Sequence, residues 1–185
     1  MQYIVGVLGL LGGLLYIIEV LRGKTKPNKA TWIIWATIGF VFNLAYFFSG
    51  ARLTLWGSIP GEINAIIISL LALKYGYSKL HKIDIACIVL AFIGLFAWIF
   101  TRNSDYAVYI LLGCLFLGLL PTLVKVYYHP KSEALLPWVI GFIGVLLSNL
   151  FLLTNASFVV SVVPRYDITT KIILISLILR GYFIA

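Results

Sequence analysis

The sequence predicts an all-α integral membrane protein with seven transmembrane helices, arranged as two triple-helix bundles joined by a linker helix. Hydrophobic residues make up 62% of the 185 residues and charged residues only 11%, which is more apolar surface than a soluble domain of this size can bury. The charges cluster between apolar runs of about 17 to 22 residues, the length with which an α-helix crosses the hydrocarbon layer. The third observation is an internal repeat, because residues 1–77 align with residues 107–184 at an offset of about 106 positions.

The apolar runs are predicted as helices because a spanning segment must satisfy its own backbone hydrogen bonds. The predicted spans are, in order, Tyr3–Leu21, Ala30–Phe48, Ile59–Tyr77, Ile83–Phe100, Tyr106–Tyr127, Leu135–Leu153 and Thr169–Ile184. The repeat makes spans one to three equivalent to spans five to seven, and the unpaired fourth span gives both triplets the same orientation. The chain is therefore divided into a first bundle at 1–78, a linker helix at 79–104 and a second bundle at 105–185.

The distribution of basic residues predicts the orientation. With the N-terminus outside, four of the 14 Lys and Arg residues lie at the outer face: Arg52, Arg102, Arg165 and Lys171. The other ten lie at the inner face, which is the positive-inside pattern of a multi-pass protein of the inner or plasma membrane with a cytoplasmic C-terminus. This topology and contact with anionic lipid account for the net charge of +8, so the sequence predicts the lipid bilayer and no nucleic acid as a partner.

The repeat also pairs polar and aromatic positions in spans two and six. Trp32 aligns with Trp138, and Asn43 aligns with Asn149. Each Asn lies about 16 Å along the helix axis from its Trp, so two amides are expected near the midplane. They could bind a neutral polar solute between the halves, or each could hold neighbouring helices together. Trp35, opposite Gly141 in the repeat, is either an aromatic plate for such a solute or a packing residue.

Residues 121–133, with the sequence PTLVKVYYHPKSE, resemble the PQ-loop repeat: a proline followed by a polar residue late in a helix, aromatic and basic residues at its exit, then Lys-Ser-Glu. The 3+1+3 plan with the N-terminus outside is similar to that of the SWEET sugar transporters, of which the bacterial SemiSWEETs are the half-size version. Thr122 stands where the family has Gln, and Leu15-Tyr16 replaces the dipeptide in the first half. The resemblance implies a binding Asn in the third helix of each triplet, which points to Asn64 and, in its place in span seven, to Thr169 or Thr170.

The same superfamily includes amino-acid exporters, nicotinamide riboside carriers and the KDEL receptor. The start of span two, from Trp32 to Trp35, also resembles the nicotinamide riboside carriers. The resemblance therefore leaves the substrate open among a sugar, an amino acid and a nucleoside-type vitamin precursor.

Moving parts are expected at the inner ends of spans one and five. Pro121 removes a backbone hydrogen bond and, with Thr122, is read either as a hinge or as a static kink. The repeat sets Glu19 opposite Lys125, which predicts an inner gate. Otherwise the two charges reach the interface independently and a gate would use Tyr16, Tyr127 and Tyr128.

These residues together predict a facilitative carrier of a small neutral polar metabolite, working by alternating access. Glu19 and Glu62 are read as too near the span ends to couple transport to protons, and Glu133 as part of a solvated loop. A membrane receptor or interaction subunit that binds a ligand without moving it is the alternative. No catalytic constellation, metal cluster or cofactor motif is found, so we expect neither an enzyme nor a cofactor, and a homo-oligomer is left open.

Overall fold

The computed structural model of the chain describes residues 2–48, 55–77, 80–101, 104–152 and 158–183. In these ranges the protein consists of seven α-helices and contains no β-strand, so the predicted all-helical class is confirmed. The helices are α1 (Gln2–Leu21), α2 (Lys29–Phe48), α3 (Leu55–Tyr75), α4 (Lys82–Thr101), α5 (Ser104–Tyr128), α6 (Leu135–Leu152) and α7 (Phe158–Phe183), with a 3₁₀ turn at Pro130–Ser132 between α5 and α6.

Within the described residues, three helical segments are long and apolar enough to cross a membrane: Tyr3–Leu21, Leu55–Tyr75 and Val108–Tyr128. Two further apolar segments, Lys29–Leu44 and Leu135–Leu150, are shorter. Length and composition thus support membrane insertion for three helices, and the crossing of all seven remains a prediction.

The largest departure from the predicted boundaries is in α7. The helix begins at Phe158 and contains Pro164, whereas the sequence predicted a start at Thr169. Arg165 and Lys171, which were expected at the outer face, lie within the helix together with Asp167. The helix α3 likewise begins at Leu55, four residues earlier than predicted, and includes Pro60. Pro60 is the sixth residue of the helix, so it cannot donate the usual intrahelical hydrogen bond to the Trp56 carbonyl. The predicted last residues of spans six and seven, Leu153 and Ile184, fall outside the described ranges.

Six helices form a closed ring. Helix α1 packs against α3 and α6, α2 packs against α3 and α5, and α7 packs against α5 and α6. The ring order is therefore α1, α3, α2, α5, α7 and α6. Helix α4 lies outside this ring and packs on α5 and α2.

One end of the ring carries the chain connections at residues 22–28 and 129–134, and we call it the basic end. There the connections bind each other directly: the Lys26 amide donates to the Ser132 carbonyl at 3.1 Å, and the Tyr77 amide to the Pro27 carbonyl at 2.8 Å. The ends of α1, α3, α5 and α7 and the starts of α2, α4 and α6 meet at this end, so consecutive helices alternate in direction.

The outward faces of the helices are apolar. On α1, the exposed large side chains recur at helical spacing along its length: Tyr3, Ile4, Val7, Leu10, Leu11, Leu14, Ile18 and Leu21. A continuous apolar face of this length suits hydrocarbon rather than water. Several polar side chains, among them Asn43, Asn64 and Thr170, are instead turned toward the interior of the ring, where the candidate site lies.

Candidate functional site

A cavity of about 310 Å³ lies inside the ring and is lined by residues of all six ring helices. It extends from Tyr16 on α1 to Val5 on the same helix and to Gly57 in the first turn of α3. On α1 this corresponds to about 16 Å along the helix axis. The cavity therefore runs from Tyr16, about one and a half turns before the end of α1, toward the end opposite the basic end. Its main polar lining residues are Asn43, Glu62, Asn64, Asp167, Thr170 and Lys171.

Four aromatic rings close the cavity toward the basic end, and we call them the aromatic floor. Tyr16 packs on Trp32 with ring centroids 5.0 Å apart and on Trp138 at 5.8 Å. Trp35 meets Trp32 edge-on at 5.2 Å and Trp138 at 6.2 Å. Such tilted and edge-to-face contacts are the favoured geometries of aromatic pairs. The rings come from α1, α2 and α6, so the floor joins helices from both halves of the chain.

Beneath the floor lies a buried carboxylate, Glu133, whose contacts we call the Glu133 network. Its Oε1 accepts hydrogen bonds from the Tyr16 hydroxyl (3.0 Å) and from the Lys125 ammonium, and its Oε2 accepts one from the Trp138 indole N–H (3.1 Å). The Lys125 ammonium also donates to the Lys26 carbonyl at 2.6 Å. Because both charged side chains are almost fully enclosed, their mutual compensation is needed to offset desolvation.

Further hydrogen bonds seal the same end. The Thr122 hydroxyl on α5 donates to the Thr31 hydroxyl on α2 at 2.9 Å, and the Ala134 amide donates to the Thr25 hydroxyl at 3.0 Å. The cavity is thus separated from the basic end by the aromatic floor, the Glu133 network and these connections.

The predicted pairing of Glu19 with Lys125 is wrong. Glu19 lies 3.6 Å from Arg22 on its own helix, whereas Lys125 pairs with Glu133. The repeat alignment placed the two charges at equivalent positions, but Lys125 turns toward the loop that follows its helix. Glu133, which the sequence suggested was solvated, supplies the partner and is itself buried.

Of the predicted binding amides, Asn43 and Asn64 line the cavity. The Asn64 amide donates to the Gly9 carbonyl at 3.1 Å, and the Asn43 amide to the Gly39 carbonyl of its own helix at 2.9 Å. Asn149 is half-buried one turn beyond Val145 and is not among the residues that line the cavity. The two repeat-related amides therefore do not face each other across the cavity, because only the α2 member points into it.

Trp35, Thr170 and Tyr16 also line the cavity. The Trp35 indole N–H donates to the Leu115 carbonyl on α5 at 3.0 Å, which leaves its ring face for packing and for a ligand. The Thr170 hydroxyl donates to the Tyr166 and Asp167 carbonyls at 3.0 and 3.1 Å. Pro121 and Thr122 are buried on α5 outside the cavity lining, and a hinge at Pro121 stays a prediction.

Sequence reasoning did not predict the roles of two carboxylates. The side chain of Glu62 is half-buried and lines the cavity, although its closeness to Pro60 had suggested a helix end. Glu133 anchors the seal, although it follows two residues of an apparently hydrophilic loop. The available signal was that Glu133 directly precedes an apolar helix with Trp138 five residues on, a spacing that brings the indole N–H back to the carboxylate.

Comparisons with protein-family models, with curated proteins and with solved structures each gave no match. The likeness to PQ-loop and SWEET proteins therefore remains a resemblance carried by residues 121–133 and by the 3+1+3 plan.

Proposed function

We propose that this chain is a membrane transporter that moves a small polar metabolite by alternating access. In this proposal all seven helices cross the membrane, α1–α3 and α5–α7 form two triple-helix bundles, and α4 links them. The ring order supports the division, since the two seams between the bundles, α1 with α6 and α2 with α5, are exchanged by the sequence repeat.

The observation that carries the proposal is a cavity with polar groups on its wall, enclosed by an apolar-faced ring and sealed at one end by side chains from both halves. A volume of about 310 Å³ is at the lower end of the range typical of small-molecule sites, roughly 300–1,000 Å³. The aromatic floor offers ring faces to a flat or amphipathic solute, and the polar wall offers hydrogen-bonding groups. A sealed floor beneath a cavity that reaches toward the other end is the arrangement expected of one state in an alternating-access cycle.

The test is uptake by proteoliposomes that contain the purified full-length chain, screened against sugars, amino acids and nucleosides. A matched pair of variants makes the screen specific. A Cβ atom on Gly61 or on Gly113 would meet nothing within 4 Å, but only Gly61 lines the cavity. We expect Gly61→Leu to reduce uptake at least about tenfold, and Gly113→Leu to leave it within about twofold. Equal effects of the two variants would contradict transport through this cavity.

A receptor with the same cavity would be reachable from one side only. Thr170→Cys, made at a cavity residue, separates the two functions, because the native Cys87 and Cys114 are buried. An impermeant thiol reagent should modify Thr170→Cys from either side of the membrane if the chain is a transporter. Modification from one side only, without uptake of any tested solute, would favour the receptor.

A further inference from the structure

The cavity wall formed by α2 and α3 contains three buried oxygen atoms without hydrogen-bond partners among the described residues. They are Oδ1 of Asn43, Oγ of Ser58 and Oε1 of Glu62, and all three residues line the cavity. A buried oxygen that is left unpaired destabilises the protein, and a charged one does so more strongly. Three such atoms in one wall therefore indicate a ligand that offers positive charge or donors.

The three side chains occupy neighbouring levels of two packed helices. Glu62 lies beside Gly39, because a Cβ atom on Gly39 would overlap with the Glu62 carboxylate. Ser58 is one turn before Glu62 on α3, and Asn43 is one turn after Gly39 on α2. The two helices are antiparallel and in contact. One turn forward on α2 and one turn back on α3 therefore both lead away from the basic end, so Asn43 lies at the same level as Ser58. The oxygens therefore form one patch that extends about one helical turn, 5.4 Å, from Glu62.

Charge on the cavity wall is not balanced at this patch. Ion pairs within 4.0 Å in the described ranges are Glu19 with Arg22 and Glu133 with Lys125, so Glu62 has none. The other titratable side chains that line the cavity are Tyr16 on α1 and Tyr166, Asp167 and Lys171 on α7. Two carboxylates against one ammonium leave the described lining with an excess of one negative charge.

We propose that Glu62, Asn43 and Ser58 form a binding site for a monovalent cation, Na⁺ or a proton, that is transported together with the metabolite. Carboxylate, amide and hydroxyl oxygens are the donors that hard cations prefer, and intramembrane carboxylates serve ion and proton pathways. The inference deepens the transporter function proposed above and rests on it. It replaces the expectation of a facilitative carrier, which assumed that Glu62 lies too near a helix end.

Thermal unfolding of the purified full-length chain in detergent, followed by tryptophan fluorescence, tests the site without a known substrate. The probe is NaCl against N-methyl-D-glucamine chloride at equal ionic strength and pH 7.5. If Na⁺ is the ligand, saturating NaCl should raise the Tm of the wild type by at least about 3 °C. Glu62→Gln keeps the shape but loses the charge, and it should abolish this rise. Glu19→Gln, the same change outside the cavity, should keep it.

If a proton is the ligand, NaCl does not raise the Tm, and a lower pH does so instead. In sodium-free buffer, lowering the pH from 7.5 to 5.5 should then raise the Tm of the wild type relative to Glu62→Gln by a similar amount. Ser58→Ala is a second variant, which keeps the test valid if Glu62→Gln does not fold. It should raise about tenfold the NaCl or proton concentration that gives half of the rise in Tm.

The proposal is overturned if neither NaCl nor acid distinguishes the wild type from Glu62→Gln. It is also overturned if choline chloride stabilises the protein through Glu62 while NaCl and acid do not, because the carboxylate would then bind an organic ammonium group of the substrate. Metabolite uptake that is independent of Na⁺ and of a pH gradient would contradict the cation-site proposal and support the transporter proposal alone. Stabilisation through Glu62 with no uptake of any tested solute would remove the transporter and leave the cation site.

Discussion

At the scale of single residues, Glu133 joins more parts of the molecule than any other described carboxylate. Its two oxygens accept from Tyr16 on α1, Lys125 on α5 and Trp138 on α6. A buried ion pair is weak support for stability when both partners are replaced together, but the loss of one partner leaves an uncompensated charge. Replacing one charged member of the network alone is therefore expected to lower the free energy of unfolding strongly.

We expect Glu133→Gln to lower the free energy of unfolding by about 3–5 kcal/mol, because the Lys125 ammonium would remain buried without a counter-charge. The measurement is thermal or denaturant unfolding in detergent. Glu19→Gln is the control, since its partner Arg22 is 63% exposed, and a surface pair contributes at most about 1 kcal/mol. The double variant Glu133→Gln, Lys125→Met should recover part of the loss; a strictly additive double variant would show that the two charges are not coupled.

At the scale of elements, the glycines of α1 determine how closely its neighbours approach. A Cβ atom on Gly13 would overlap with the Asn64 side chain on α3, and one on Gly12 would lie 3.1 Å from the Pro137 carbonyl on α6. The hydrogen bond from Asn64 to the Gly9 carbonyl depends on this approach. Small residues at helix contacts allow such packing in membranes.

We expect Gly13→Ala to destabilise the protein by about 1–3 kcal/mol, because the added methyl group displaces Asn64 and strains the α1–α3 contact. Gly61→Ala on α3 is the control, since its Cβ would meet nothing within 4 Å and alanine is the better helix former by up to about 1 kcal/mol. Tryptophan-fluorescence melting curves of both variants test this. A Gly13→Ala variant as stable as Gly61→Ala would contradict the close contact.

The sequence was sufficient to predict the helices and insufficient to predict which side chains bind one another. Long apolar runs must be helical, so the middle of each helix was predictable. The start of α7 was not, because the charged residues Arg165 and Asp167 interrupt the apolar pattern before Thr169. In the structure Asp167 lines the cavity and Arg165 is exposed. Asn43 was found as an amide at a repeated position, Trp35 as an aromatic residue opposite Gly141 in the repeat, and Asn64 through the resemblance to the SWEET transporters. The Lys125–Glu133 pair was missed because a repeat relates positions but does not specify the direction of a long side chain.

At the scale of the whole molecule, the exposed apolar faces and the basic end together define an axis that runs from the basic end to the end that holds the start of α1. The basic residues of the sequence gather near the connections at 22–28 and 129–134, and positive charge is retained on the cytoplasmic side of membranes. The end that holds the start of α1 should then face the outside.

We expect an impermeant thiol reagent added to intact cells to modify Arg165→Cys and not Lys24→Cys. Both positions carry an exposed charged side chain in the native protein, and the native cysteines are buried, so the two variants differ in side of the membrane and not in accessibility. Permeabilised cells provide the control, in which both variants should react. Modification of Lys24→Cys alone in intact cells would reverse the orientation.

The position of α4 outside the ring makes the two seams between the halves unequal. Helix α4 packs on both α2 and α5, and a shared apolar cluster that includes Ile34, Ala91 and Leu111 fastens the three together. Among the described helices none braces the seam between α1 and α6 from outside the ring, and the small residues Gly12 and Gly144 leave little side chain to interlock there. If the chain works by alternating access as we propose, this inequality predicts that the halves separate at the α1–α6 seam while the α2–α5 seam stays closed. The membrane lipids beside α1 and α6 would then be part of the moving boundary.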